Sequence, residues 1–169
     1  MKKIWLFLLV LSLFVMSGCQ PSDASLRPDV LAYLKSSNAI LRDLPQIGDF
    51  PAISNDLEAI NRAQTKTVLT QNLAKYQAGL QLDNTEAVPD ISEVEACHQT
   101  GLSLIQEAFE TLQKMLSALD SGDKSGYSQA VDQLNSMRSE ASRYYRQIED
   151  LMSKYNIADS EVGYLFRGK

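Results

Sequence analysis

The chain of 169 residues has few of the side chains on which most enzyme chemistry depends. It contains one histidine, which excludes every site that needs two imidazoles from the same chain. It also lacks the G-x-S-x-G, H-E-x-x-H and glycine-rich phosphate-loop motifs. Basic residues number 16 against 21 acidic ones, which argues against a nucleic-acid partner because a phosphate binder needs a basic face. We therefore predict a protein that is not an enzyme and holds no cofactor.

The apolar residues are concentrated at the start of the chain. Lys2 and Lys3 precede an apolar run from Ile4 to Val15 that only Ser12 interrupts. A run of this length is typical of a signal peptide and is too short to cross a bilayer comfortably. It ends in Met16-Ser17-Gly18-Cys19.

These residues resemble a bacterial lipoprotein signal, in which an aliphatic residue and two small residues precede a cysteine. Ser17, Gly18 and Cys19 match this pattern, while Met16 stands where leucine is usual. The resemblance implies cleavage between Gly18 and Cys19 and a diacylglyceryl group on the Cys19 thiol. It implies residence at the cell membrane or the outer membrane, facing outside the cytoplasm. The alternatives are a plain secretory signal and an uncleaved anchor.

The rest of the chain reads as one helical body on a short tether. Residues 19–27 are polar and would reach about 25 Å at most. Residues 28–157 are predicted to form an all-α antiparallel bundle of three to four helices, and residues 158–169 a tail. The predicted helices lie at 28–44, 54–82, 90–119 and 127–155. The second is expected to be continuous or slightly kinked, and the only candidate strand is 162–166.

A long C-terminal helical hairpin is the clearest prediction. Apolar positions three and four apart mark one face of each arm, and the short loop Ser121–Gly126 joins them. In the first arm these positions are His98, Leu102, Ile105, Phe109, Leu112, Leu116 and Leu119. In the second arm they are Tyr127, Ala130, Leu134, Met137, Ala141, Tyr144, Ile148, Leu151 and Tyr155.

Glu95, Cys97 and His98 are the candidate metal ligands. Glutamate and histidine three residues apart are the pair used in di-iron bundles, and a Cys–His pair can hold zinc or copper. The simpler interpretation is that His98 continues the apolar stripe and Cys97 is a small buried thiol. Val94 stands where haem attachment would need a second cysteine. We therefore predict no metal, with these three residues as the alternative.

Five acids without an intervening base precede and begin the third predicted helix: Asp83, Glu86, Asp90, Glu93 and Glu95. They could attract a divalent cation, but they lack the spacing of a calcium loop. The expected role is to solvate the loop and to complement the helix dipole.

These patterns together predict a lipid-anchored helical protein that acts by protein–protein contact. Its predicted partners are the membrane, through Cys19, and another protein. The alternative is a bundle whose interior binds a small molecule, a metal ion or haem.

Overall fold

The computed structural model describes residues 23–45, 56–83 and 85–163. These residues form five α-helices and no strand. The helices are α1 (Asp23–Asp43), α2 (Arg62–Asp83), α3 (Ser92–Ser121), α4 (Lys124–Lys154) and α5 (Asp159–Val162). The all-α prediction is confirmed. Of the candidate strand at 162–166, Val162 ends α5, and residues 164–166 lie outside the described residues.

The hairpin of α3 and α4 is the longest feature of the described chain. Its turn consists of Gly122 and Asp123 alone, which is shorter than the predicted loop Ser121–Gly126. Gly122 has φ +74°, a left-handed conformation that ends α3 at little steric cost. Asp123 then caps α4 by accepting a hydrogen bond from the Gly126 amide at 3.0 Å. The two caps explain why a two-residue turn suffices.

The predicted stripes form the core of this hairpin. Every residue of the α4 stripe is buried except Ala141, which is half-buried. The α3 stripe alternates between buried residues and half-buried ones such as Leu102 and Phe109. Because α3 packs against both α2 and α4, it also buries residues that lie outside its predicted stripe. These are Leu104, Ala108, Thr111, Met115 and Ala118.

Helix α1 begins at Asp23, five residues before the predicted start at residue 28, and continues through Pro28. The end of the predicted tether is therefore helical. Contacts outside the helix account for the extra residues. Leu26 packs against the core, and the Arg27 guanidinium lies 2.7 Å from the Glu161 carboxylate.

The prediction that the second helix is continuous or slightly kinked from residue 54 to residue 82 is wrong. Residues 57–60 form a turn and a bend, and α2 begins only at Arg62. The Asn61 side chain accepts a hydrogen bond from the Gln64 amide at 3.2 Å, as an N-cap does. Leu57 is 1% exposed and packs onto the core, while Glu58 and Ala59 of the same turn are exposed. The expected N-cap, Ser54, lies outside the described residues.

The beginning of the tail folds back onto α1. Asn38 donates a buried hydrogen bond from Nδ2 to the Val162 carbonyl oxygen at 3.1 Å. Ile157 and Val162 are both buried in the core. The tail therefore packs on the body as far as Val162, while residues 164–169 lie outside the described part of the chain.

Candidate metal centre

The structure does not bring the three candidate metal ligands together. Glu95 is exposed, whereas Cys97 is 1% exposed and His98 is buried. Burial raises the pKa of the Cys97 thiol to about 12, so the sulfur is neutral and a poor ligand in this fold. The prediction that His98 and Cys97 belong to the buried face is confirmed.

His98 instead faces two acids from the segment before α3. Its Nδ1 lies 3.7 Å from Asp83 Oδ1 and 3.8 Å from Glu86 Oε2. One ligand atom from each of these three residues lies within 4.8 Å of the others. We call Asp83, Glu86 and His98 the acid–histidine cluster.

Chain topology places the acid–histidine cluster at the junction of α2 and α3. Asp83 is the last residue of α2, Glu86 lies in the connecting loop, and His98 is in the second turn of α3. A tight turn returns the chain, with the Glu86 amide donating to the Asp83 carbonyl oxygen at 3.2 Å. Because α2 packs against α3, the end of one helix lies beside the start of the other.

The cluster is enclosed and its hydrogen bonding is incomplete. The side chains of Asp83, Glu86 and His98 are only 8%, 2% and 10% exposed. At 3.7 and 3.8 Å the imidazole is too far from both carboxylates for a hydrogen bond. Asp83 Oδ2 and His98 Nδ1 have no hydrogen-bond partner. Buried polar atoms are nearly always paired, so two unpaired atoms that belong to one cluster require an explanation.

Helix α1 covers the acid–histidine cluster and orients two of its members. Ser37 Oγ lies 3.1 Å from both carboxylate oxygens of Glu86 and donates to that carboxylate. The ring of Tyr33 meets the His98 ring edge-on, with the ring centres 6.0 Å apart. These contacts fix the carboxylate and the imidazole before any ligand arrives.

Burial also raises the pKa of both carboxyl groups. For Asp83 the opposing influences are the nearby imidazole and a hydrogen bond with Glu86. For Glu86 they are mainly hydrogen bonds from serines of α1. In both groups desolvation is the largest effect, which means that the fold disfavours their negative charge unless a cation compensates it.

The remaining acids of the segment behave as expected of solvated side chains. Asp90 and Glu95 are exposed. Glu93 accepts hydrogen bonds from Lys154 and from Tyr155 Oη, the latter at 2.6 Å. The acidic segment therefore divides into two enclosed carboxylates and three outer ones.

An open groove at the surface has one member of the acid–histidine cluster, Glu86, on its wall. It encloses about 490 Å³ between the first turns of α1 and the loop before α3. Tyr33 and Glu86 lie on its wall, together with Asp29, Ser36 and Asp90. The groove, whose wall also includes apolar residues such as Val88 and Ile91, gives a small ligand a route toward Glu86.

Sequence reasoning named all three residues of the cluster but did not combine them. The available signal was His98 itself, a polar side chain on an apolar stripe. Such a group needs a polar partner, and the acids of the preceding loop were the nearest candidates. Ser37 and Tyr33 gave no comparable signal, because nothing local indicates that α1 covers this junction.

Comparisons with protein-family models, with curated proteins and with solved structures give no match for this chain. Within the described ranges 23–45, 56–83 and 85–163, no helix has the length and apolar character needed to cross a membrane. Gly18 and Cys19 lie outside the described residues.

Proposed function

We propose that the protein is an extracytoplasmic lipoprotein, anchored through acyl chains on Cys19, whose helical body acts by protein contact. The observation that carries this proposal is the order of Lys2 and Lys3, the apolar run, and Ser17-Gly18-Cys19. A single acyl chain holds a protein to a membrane only weakly, whereas two or more anchor it stably. A diacylglyceryl cysteine meets that requirement.

The position of α1 fits such an anchor at one end of the body. Arg27, near the start of α1, contacts the Asn156 carbonyl oxygen and the Glu161 carboxylate. Asn156 follows the end of α4, so α1 starts at the open end of the hairpin. Cys19 precedes Asp23 by four residues, a reach of at most about 14 Å. The anchor would therefore hold the open end of the hairpin beside the bilayer.

The opposite end of the hairpin would then project away from the membrane. At 1.5 Å per residue, the 30 residues of α3 place the turn at Gly122 and Asp123 about 45 Å from the start of the helix. We infer that this geometry presents the length of α4 to proteins near the membrane surface.

The contact surface we propose is charged rather than apolar. The described residues bury their apolar stripes, and Leu82, at 57% exposed, is the exposed large hydrophobic residue among them. Arg138, Arg143 and Arg146 are exposed on α4, and no carboxylate of the described chain forms an ion pair with them. Glu140 lies three residues before Arg143 and Asp150 four residues after Arg146, but neither forms an ion pair with its neighbour. Three exposed guanidinium groups without a carboxylate partner among the described residues favour an acidic partner surface on this acidic protein.

The two cysteines allow a matched test of the anchor. We expect Cys19→Ser to leave an uncut precursor or to release the protein from membranes. Cys97→Ser should stay membrane-bound at the mature mass, because Cys97 is the buried thiol. Membrane fractionation shows where each protein is located, and mass measurement shows whether it has been cut. A Cys19→Ser protein that stays wholly membrane-bound at the mature mass would refute the anchor.

The contact is tested by a photoreactive residue placed at Arg138 or at Arg143, with exposed Lys75 on α2 as the control position. We expect each α4 position to crosslink to one partner protein and so to give an adduct of the same mass. This adduct should disappear when Cys19→Ser is added to either variant. Equal labelling from all three positions, or no adduct from α4, would contradict the proposed surface.

A further inference from the structure

The acid–histidine cluster has the composition of a transition-metal site. Two carboxylates and one imidazole supply one nitrogen and at least two oxygen donors, a set that suits Zn²⁺ and related divalent ions better than Ca²⁺ or Mg²⁺. A divalent cation would also balance the two carboxylate charges when the imidazole is neutral. The same three groups without a cation leave two carboxyls desolvated beside an unpaired nitrogen.

The distances fit an ion after a small contraction. Zinc binds imidazole nitrogen and carboxylate oxygen at about 2.0–2.2 Å in tetrahedral geometry, which separates its ligand atoms by about 3.3–3.5 Å. The observed separations from His98 Nδ1 are 3.7 Å to Asp83 and 3.8 Å to Glu86. Each of these two separations must shorten by a few tenths of an ångström, and the third, between the two carboxylates, lies within 4.8 Å.

The unpaired atoms are a second observation that points to a ligand. Asp83 and His98 are each more than nine-tenths buried, and each has an atom in the cluster without a hydrogen-bond partner. A metal ion placed among the three side chains would pair His98 Nδ1 directly and would bind the Asp83 carboxylate, whose Oδ1 lies 3.7 Å from that nitrogen. A structural ion pair would instead bring the imidazole within hydrogen-bond distance of a carboxylate, which the observed distances do not show.

The surroundings supply the other parts of a metal site. Ser37 donates to the Glu86 carboxylate and so acts as an outer-shell orienting group. The groove beside Glu86 gives an entry path, with Asp29 and Asp90 on its wall to attract a cation. Three protein ligands leave a fourth position for water or for an oxygen donor reaching in through the groove.

We propose that Asp83, Glu86 and His98 bind a divalent transition-metal ion, represented here by Zn²⁺. This gives the helical body a function beyond anchoring and contact. It also replaces Glu95 and Cys97 of the sequence-based alternative by Asp83 and Glu86.

The test uses the full chain purified in detergent with a tag that contains no histidine. Calorimetric titration with Zn²⁺ should show one ion bound per chain. Loss of an outer-shell partner typically costs about 10–100-fold in metal affinity, so Ser37→Ala should weaken binding within that range. Glu86→Gln, Asp83→Asn and His98→Gln should weaken it by at least about 100-fold, since each removes a direct ligand.

Two variants serve as matched controls. Glu95→Gln removes an exposed acid one turn before His98, and Cys97→Ser removes the neighbouring thiol. Both should bind Zn²⁺ as the unchanged chain does. Tight binding that survives Glu86→Gln and His98→Gln, or that disappears with Glu95→Gln, would overturn the site.

A readout on the unchanged chain avoids any dependence on the folding of variants. The chain has one histidine, so a spectrum of ¹⁵N-labelled imidazole contains the signals of His98 alone. We expect one equivalent of Zn²⁺ to shift the Nδ1 resonance, and one equivalent of Co²⁺ to give the visible absorption of a four-coordinate ion. An imidazole spectrum unchanged by excess Zn²⁺ would overturn the proposal, whatever the variants do.

Discussion

The ring of Tyr144 on α4 lies directly against the backbone of Gly101 on α3. A Cβ atom at position 101 would stand 2.7 Å from both Cζ and Oη of that ring, closer than real Cβ contacts. Tyr144 is itself 4% exposed, so the ring has little space into which to withdraw. Glycine at this position sets the approach of the two hairpin arms.

Gly101→Ala should therefore lower the free energy of unfolding despite the better helix propensity of alanine. Overpacking a core costs about 1–3 kcal/mol, while the propensity gain is about 1 kcal/mol. We expect a net loss of about 1 kcal/mol in urea unfolding. Gly79→Ala is the matched comparison, because its new methyl would meet only the flexible end of half-buried Leu44. A Gly101→Ala protein at least as stable as the unchanged chain would contradict this packing.

The contact between Asn38 and Val162 predicts how the tail is held. Asn38→Ala removes the buried donor and leaves the Val162 carbonyl oxygen unpaired, which costs about 1–3 kcal/mol. We expect the chain around Val162 to become sensitive to protease while the hairpin stays intact. Ser36→Ala, two residues away on α1 and exposed, should leave protease sensitivity unchanged. Equal sensitivity in the two variants would show that Asn38 does not hold the tail.

The contacts of Glu93 predict a stability change in acid. Hydrogen bonds from Lys154 and then from Tyr155 lower the pKa of Glu93 to about 2. A carboxyl whose pKa is depressed by folding stabilises the protein above its unfolded pKa of 4.5, and this contribution disappears as the pH falls toward 2. The free energy of unfolding should therefore fall more between pH 6 and pH 3 in the unchanged chain than in Glu93→Gln. Glu95→Gln should retain the full pH dependence. Parallel curves for all three proteins would refute the link.

Burial of Cys97 predicts a thiol that is inert in the native fold. With its pKa raised to about 12, the sulfur is almost entirely protonated at pH 8 and is also shielded from reagents. Ellman's reagent should react with no thiol in the native protein and with one after unfolding in urea. A second thiol on unfolding would mean that the Cys19 sulfur is free. Rapid reaction of the native protein at pH 8 would contradict the burial.

Most of the fold could be predicted from spacing alone. The regular alternation of three and four residues from Tyr127 to Tyr155 defines one buried face, and the structure confirms it. The predicted break points were less accurate, because helix ends depend on contacts that are distant in sequence. The interaction of Arg27 with Glu161 extends α1, and burial of Leu57 interrupts the predicted second helix.

The acid–histidine cluster could be predicted only in part. His98 was identified as a polar group on an apolar face, and Asp83 and Glu86 as acids of a loop. Which acids turn inward depends on the tight turn after α2 and on the cover provided by Ser37 and Tyr33 of α1. These are tertiary contacts that local spacing does not encode.

The most direct measurement for the account as a whole is the intact mass of the mature protein isolated from membranes. We expect a chain that starts at Cys19 and carries the added mass of a diacylglyceryl group, with or without a further acyl chain on the new amine. A chain that starts at any other residue, or one that starts at Cys19 without added hydrocarbon, would contradict the proposed anchor and the function built on it.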